Sequence, residues 1–209
     1  MHEESLAWFA ALPATFKRNA SFRAGLGIVY YYQGQYEKAL VVAREALETD
    51  PRSFRALSLL AVLDLNDERN LGALEALSSV FVGLTGPAPE VEAFIAERAM
   101  LLSALLAQAG RTEQAERIAT AAEKSLRHLQ GWVPFYYAQA LTILGREAEA
   151  VDSLRRAIST ESLAGARWNV LVSPIFETIR GKQEYQDIFD ALENHLSQQR
   201  DLYLASRSQ

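Results

Sequence analysis

Asp64, Asn66 and Glu68 stand at alternate positions, and Glu75 follows eleven residues after Asp64. That is the oxygen-donor spacing of a loop that wraps a calcium ion. The hinge of such a loop is missing, because Arg69 stands where a glycine must allow the sharp bend, and apolar Leu71 and Ala73 fill later positions. A polar turn between two helices accounts for the same residues. Gly25-Leu26-Gly27 has the beginning of a dinucleotide loop, but it follows no strand and lacks the third glycine. His2, His128 and His195 are too scattered to form a ligand set. Glu161-Ser162 puts an acid beside a hydroxyl with no base to activate it. Asn19-Ala20-Ser21 is a formal glycosylation sequon and reads better as a helix cap. The expectation is therefore no catalytic residue, no metal ligand, no cofactor and no enzyme.

Composition points the same way. The 209 residues are 49% hydrophobic, enough to bury a continuous core. A net charge of −5 supplies no basic field to hold nucleic acid or an anionic membrane. With no cysteine, disulfides, thiolate metal sites and a cysteine nucleophile are excluded. The opening Met1-His2-Glu3-Glu4 is acidic, and no apolar stretch follows a basic start, so no secretory signal is expected. No apolar run approaches the roughly 18 residues of a membrane span. A soluble, cytoplasmic helical protein is expected, a location that would lose its force for an excised domain.

The elements that position these residues announce themselves through small side chains. Seven residues before Gly34, Gly110 and Gly145 lie Gly27, Ser103 and Ala138. Five residues after the same glycines lie Ala39, Ala115 and Ala150, and twelve after lie Ala46, Ala122 and Ala157. A weaker copy is centred on Glu68, with Ala61, Ala73 and Val80. Small residues there let two helices approach closely on either side of a tight turn, and the spacing of 34 between Gly34 and Glu68 is that of a stacked helical-hairpin array. Gly83-Leu84-Thr85-Gly86-Pro87-Ala88-Pro89 is the strongest break, and it marks an insertion that stretches the next spacing to 42. The long helix after it is expected from about Glu90 to Ala109, with Thr112 capping its partner. The expected organisation is an N-terminal helix and lead-in at 1–19, four hairpins at 20–51, 54–86, 90–129 and 131–160, and C-terminal capping helices at 161–209. The last helix carries Tyr185, Ile188, Phe189, Leu192, Leu196 and Tyr203 on one stripe.

Leu26-Gly27, Tyr30, Gly34, Tyr36, Ala39, Ala46 and Pro51 resemble the tetratricopeptide repeat consensus at nearly all its marked positions, with Ala43 in place of a large aromatic. Residues 96–122 and 131–158 are similar to it as well, and 54–82 match poorly. The resemblance implies an all-α, right-handed α-solenoid. Ser173-Pro174-Ile175-Phe176 through Ile179-Arg180-Gly181 to Tyr185 is similar to a tail that follows such repeats in bacterial signalling and regulatory proteins. In those parents the array is a regulatory or partner-binding module.

In a tetratricopeptide array the first helix of each hairpin lines a concave groove. Carried over, that geometry places Ile28, Tyr31 and Tyr32 in the groove, with Val62 and Asn66, Met100 and Gln108, and Trp132, Phe135 and Gln139. Almost nothing there is charged. The carboxylate clamp of chaperone-binding members needs lysine, arginine and asparagine, and only Arg55 is nearby. The expected partner is a protein or peptide offering an apolar or amphipathic segment. Two alternatives stay open: a sensor domain for a small apolar effector, and a self-associating assembly scaffold. In either case the chain's own last helix or a second copy could occupy the groove.

Overall fold

A computed structural model describes residues 2–67, 71–129, 133–159 and 173–207. Among these the structure is helical, with no strand. The N-terminal segment forms α1 (His2–Ala11) and a single turn α2 (Ala14–Lys17). Four helix pairs follow: α3 (Ala20–Tyr32) with α4 (Tyr36–Thr49), and α5 (Phe54–Asp67) with α6 (Ala73–Val80). After them come α7 (Ala96–Gln108) with α8 (Thr112–Leu126), and α9 (Val133–Ile143) with α10 (Glu147–Ser159). A 3-10 turn at Pro174–Phe176, the short α11 (Glu177–Arg180) and the long α12 (Gln183–Arg207) end the chain.

Local chemistry explains the pairs. Asn19 caps α3, its Oδ1 accepting from the backbone N–H of Ser21 at 2.9 Å and of Phe22 at 3.3 Å. Gly34 ends that helix with φ of 71° and donates to the Tyr31 carbonyl at 3.0 Å, while Gln35 donates to Tyr30 at 2.9 Å. This double closure satisfies the orphan carbonyls of the last turn and recurs at Gly110 and Gly145. Beyond each turn the small residues are enclosed: Ala39, Ala46, Ala122 and Ala150 have no exposed surface. Gly27 is the tightest point, because a Cβ there would lie 2.5 Å from Leu59 Cδ2. Ser103 uses the same position differently, donating its hydroxyl to the Ala115 carbonyl across the hairpin at 2.7 Å.

Hairpins stack in order. First helices pack on first helices, α3 on α5, α5 on α7 and α7 on α9. Each second helix packs on the next first helix, α4 on α5, α6 on α7 and α8 on α9. One apolar core runs through the stack, from Leu40 and Leu57 through Met100, Leu106 and Ile118 to Leu154, Phe176 and Ile188.

Three local expectations change. The first helix of the third pair starts at Ala96, not near Glu90. Glu92 is extended (φ −90°, ψ 154°), and the buried Val91 carbonyl accepts from Ser125 Oγ at 2.6 Å, so this stretch lies on α8 instead of coiling. Thr112 is the first residue of α8 and caps nothing, since Arg111 takes the cap position without a side-chain bond. In the second pair the positive φ falls on Gly72, at 87°, next to the start of α6. Glu68, the register mark read from the sequence, lies outside the described residues.

Candidate functional site

The calcium-like residues have structural work. Asp64, 3% exposed, accepts from the Ala73 backbone N–H at 3.0 Å and so closes the first turn of α6. Asn66 Nδ2 donates to the Tyr31 hydroxyl at 2.5 Å and ties the end of α5 to the end of α3. No group of three or more metal-ligating side chains forms among the described residues.

A partly enclosed cleft of about 310 Å³ opens instead on the face made by the first helices. The helix α3 gives it Ile28, Tyr31 and Tyr32, and α5 gives Arg55, Ser58, Leu59 and Val62. Glu97, Arg98 and Leu101 come from α7, and Phe135, Tyr136 and Gln139 from α9. Ser173 closes one side, because the Pro174–Phe176 turn packs against both α9 and α5. The tail therefore borders the cleft, while α12 packs on α10.

Of the residues expected in the groove, Ile28, Tyr31, Tyr32, Val62, Phe135 and Gln139 line this cleft. Asn66 stands behind it, bonded to Tyr31. Met100 is a correction: it is fully buried in the core. Gln108 is exposed at the far end of α7, away from the cleft. Trp132 lies outside the described residues. The cleft meets the last turns of α3 and the first turns of α7, so no single offset from the turn glycine places the groove residues in every hairpin. Phe135 also differs from the expected ligand anchor, because it is 2% exposed and packs edge-on against Phe176, with ring centroids 5.4 Å apart. It belongs to the core as much as to the cleft.

The wall carries three charges: Arg55, Glu97 and Arg98. Arg98 lies 5.3 Å over the Phe54 ring, donates from Nη1 to the Phe94 carbonyl at 3.2 Å and holds Nη2 3.7 Å from Glu97 Oε2. Burial pushes the Tyr136 hydroxyl up to about 12, with the Glu97 carboxylate adding to it. Tyr31 also rises to about 12 by burial, against the opposing hydrogen bond from Asn66. Burial raises Tyr32 too, and again Glu97 contributes. These phenols stay neutral at physiological pH and meet a ligand as flat apolar rings with a hydroxyl at one end. The charged residues had little signal in the sequence: Glu97 and Arg98 fall in the first turn of α7 because that helix starts at Ala96 and not near Glu90.

Stacked helical pairs that bring every first helix to one wall define a repeat scaffold, a class built to present surface to a partner. Residues 20–53 match the tetratricopeptide repeat family, so the first hairpin is similar to a tetratricopeptide repeat, and the helical array around it is consistent with a tetratricopeptide-like solenoid. Repeats of this family serve protein–protein interaction, and the fold is typically non-catalytic. No curated protein and no solved structure matches the chain. Among the described residues no helix is long and apolar enough to cross a membrane.

Proposed function

We propose that the chain is a non-catalytic docking module that takes an apolar or amphipathic segment of a partner protein into the cleft of its first helices. One observation carries this reading: side chains from all four first helices converge on a single partly enclosed space with an aromatic wall. Aromatic anchors of this kind bury large area at little entropic cost, which is why they dominate interfaces. The likeness of the Ser173–Tyr185 tail supports a place in a bacterial signalling or regulatory system, with action in the cytoplasm.

Selection of binders from a displayed random-peptide library on the full chain, followed by calorimetry on the purified winners, tests the reading. Tyr32 is only half-buried, so Tyr32→Ala is expected to weaken peptide affinity about tenfold while the melting temperature stays near the parent's. Phe135→Ala is the contrasting control, since emptying a core position costs about 3–5 kcal/mol of stability. A library that yields no saturable binder, or an affinity unmoved by Tyr32→Ala, refutes the proposal.

A further inference from the structure

Four aromatic rings gather at the N-terminal end of the stack, and two of them face outward. Trp8 meets Phe9 edge-on with centroids 5.2 Å apart and stacks on Phe22 at 6.3 Å, and Phe16 meets Phe22 edge-on at 5.3 Å. Trp8 is 55% exposed and Phe16 47% exposed. Beside them a groove of about 490 Å³ runs between α1, α3 and α4, lined mainly by Phe9, Leu12, Phe22, Leu26, Tyr30 and Val42. Its charged lining residues are Arg23 and Glu45, one of each sign. This groove is separate from the cleft, because α3 turns Tyr31 and Tyr32 to the cleft and Leu26 and Tyr30 to the groove. Inside the stack each first helix is covered by both helices of the pair before it, α5 by α3 and α4, and α9 by α7 and α8. In front of α3 lie the ten-residue α1 and the single turn α2, which pack on it and leave the groove open. Phe9 seats α1 there, since its ring rests over Gly25, where a Cβ would lie 3.3 Å away.

We infer that this end face binds a second copy of the chain about a two-fold axis, Trp8 and Phe16 of each copy entering the groove of the other. Exposed apolar patches of this kind mark interaction sites, and three features of the face favour its own image as the occupant. It carries a projection and a hollow side by side, the self-complementarity that a two-fold contact requires. Its groove holds one cation and one anion, so meeting its own image adds no net like charge. The opposite end of the stack is covered, because α12 packs on α10 and the Pro174–Phe176 turn packs on α9. That leaves no bare pair for head-to-tail addition, so assembly stops at two copies. The cleft shares no lining residue with the groove, and a dimer would therefore present two clefts to one partner. The inference does not rest on the docking reading.

Sedimentation velocity on the full chain, over about a hundredfold range of concentration, is expected to show monomer passing into dimer with no larger species. Trp8→Ser and Phe16→Ser should each weaken the dimer about tenfold or more, as removal of a central aromatic anchor does. Both side chains are about half exposed in the single chain, so the dilute monomer of either variant should melt near the parent. Tyr32→Ala, on the cleft, should leave dimerisation unchanged. The chain has no cysteine, so one spin label per copy can be attached through Ala11→Cys on α1 or Gln186→Cys on α12, both at exposed positions. A two-fold contact at the N-terminal end gives a short inter-copy distance from the label at position 11 and a much longer one from the label at position 186. A monomer at every concentration, or a dimer that Trp8→Ser leaves untouched, overturns the inference. So does a short distance from position 186 instead of 11, or growth past the dimer.

Discussion

Gly27 is where helix packing and the cleft meet, so its substitution separates two kinds of overpacking. In Gly27→Ala the new methyl would sit 2.5 Å from Leu59 Cδ2, against 3.4 Å for the start of ordinary contact, so the leucine end must retreat by about 0.9 Å. Leu59 lines the cleft and has about 310 Å³ of open space to turn into. The overpacking cost therefore falls at the low end of the usual range, about 1 kcal/mol. Replacing a mid-helix glycine by alanine returns about the same amount. Net stability should change by less than about 1 kcal/mol, a shift of no more than about 4 °C in melting temperature for a chain of this size. Gly27→Leu has no such escape, because its branches also meet the Ala39 carbonyl, already 3.4 Å from the Cβ position, and Val42 Cβ at 3.8 Å. A loss of about 3 kcal/mol is expected there, which lowers the midpoint by about 6–12 °C. Thermal unfolding followed by circular dichroism gives both numbers, and a crystal structure of Gly27→Ala should show Leu59 turned toward the cleft. If the alanine variant melts as low as the leucine variant, or Leu59 has not moved, the reasoning is wrong.

Two further outcomes follow from the stack itself. Ala150 has no exposed surface and lies against the facing helix, so Ala150→Leu should destabilise the array by about 1–3 kcal/mol; a melting curve that overlays the parent's would contradict this. Glu123 is bonded by Arg146 at 2.8 Å and by Arg127, and Arg146 also grips Glu149 at 2.6 Å. The Arg146 hydrogen bond first, and the Arg127 one second, hold the Glu123 carboxyl below its ordinary value of 4.5. A carboxyl depressed in the folded state contributes fully above its unfolded value, and that contribution disappears as pH falls through the folded one. Glu123→Gln should therefore flatten the loss of stability below about pH 4.5, and identical acid profiles for variant and parent would rule the contribution out.

The helix pairs were legible because their determinants are local. A glycine in the left-handed region ends a helix wherever it stands, and alanines five and twelve residues later mark the face that must come close. The second pair was read less well, since its turn uses Gly72, outside the spacing shared by the other three. At the cleft the difficulty was of another kind. Where α7 begins depends on Val91 finding Ser125 on α8, a contact across 34 positions of chain, and the packing of whole helices in the stack puts Glu97, Arg98 and Leu101 on the cleft in place of Met100 and Gln108. Ser173 reaches the wall only because the tail folds back onto α5 and α9, which no periodicity in the first helices encodes.

Because α3, α5, α7 and α9 each supply part of one wall, no shorter piece of the array possesses the cleft. Fraying of either end would dismantle the binding surface before the middle of the stack loses its helices. An occupant, conversely, would act as a clasp between the outermost pairs and lend its binding energy to the integrity of the whole row.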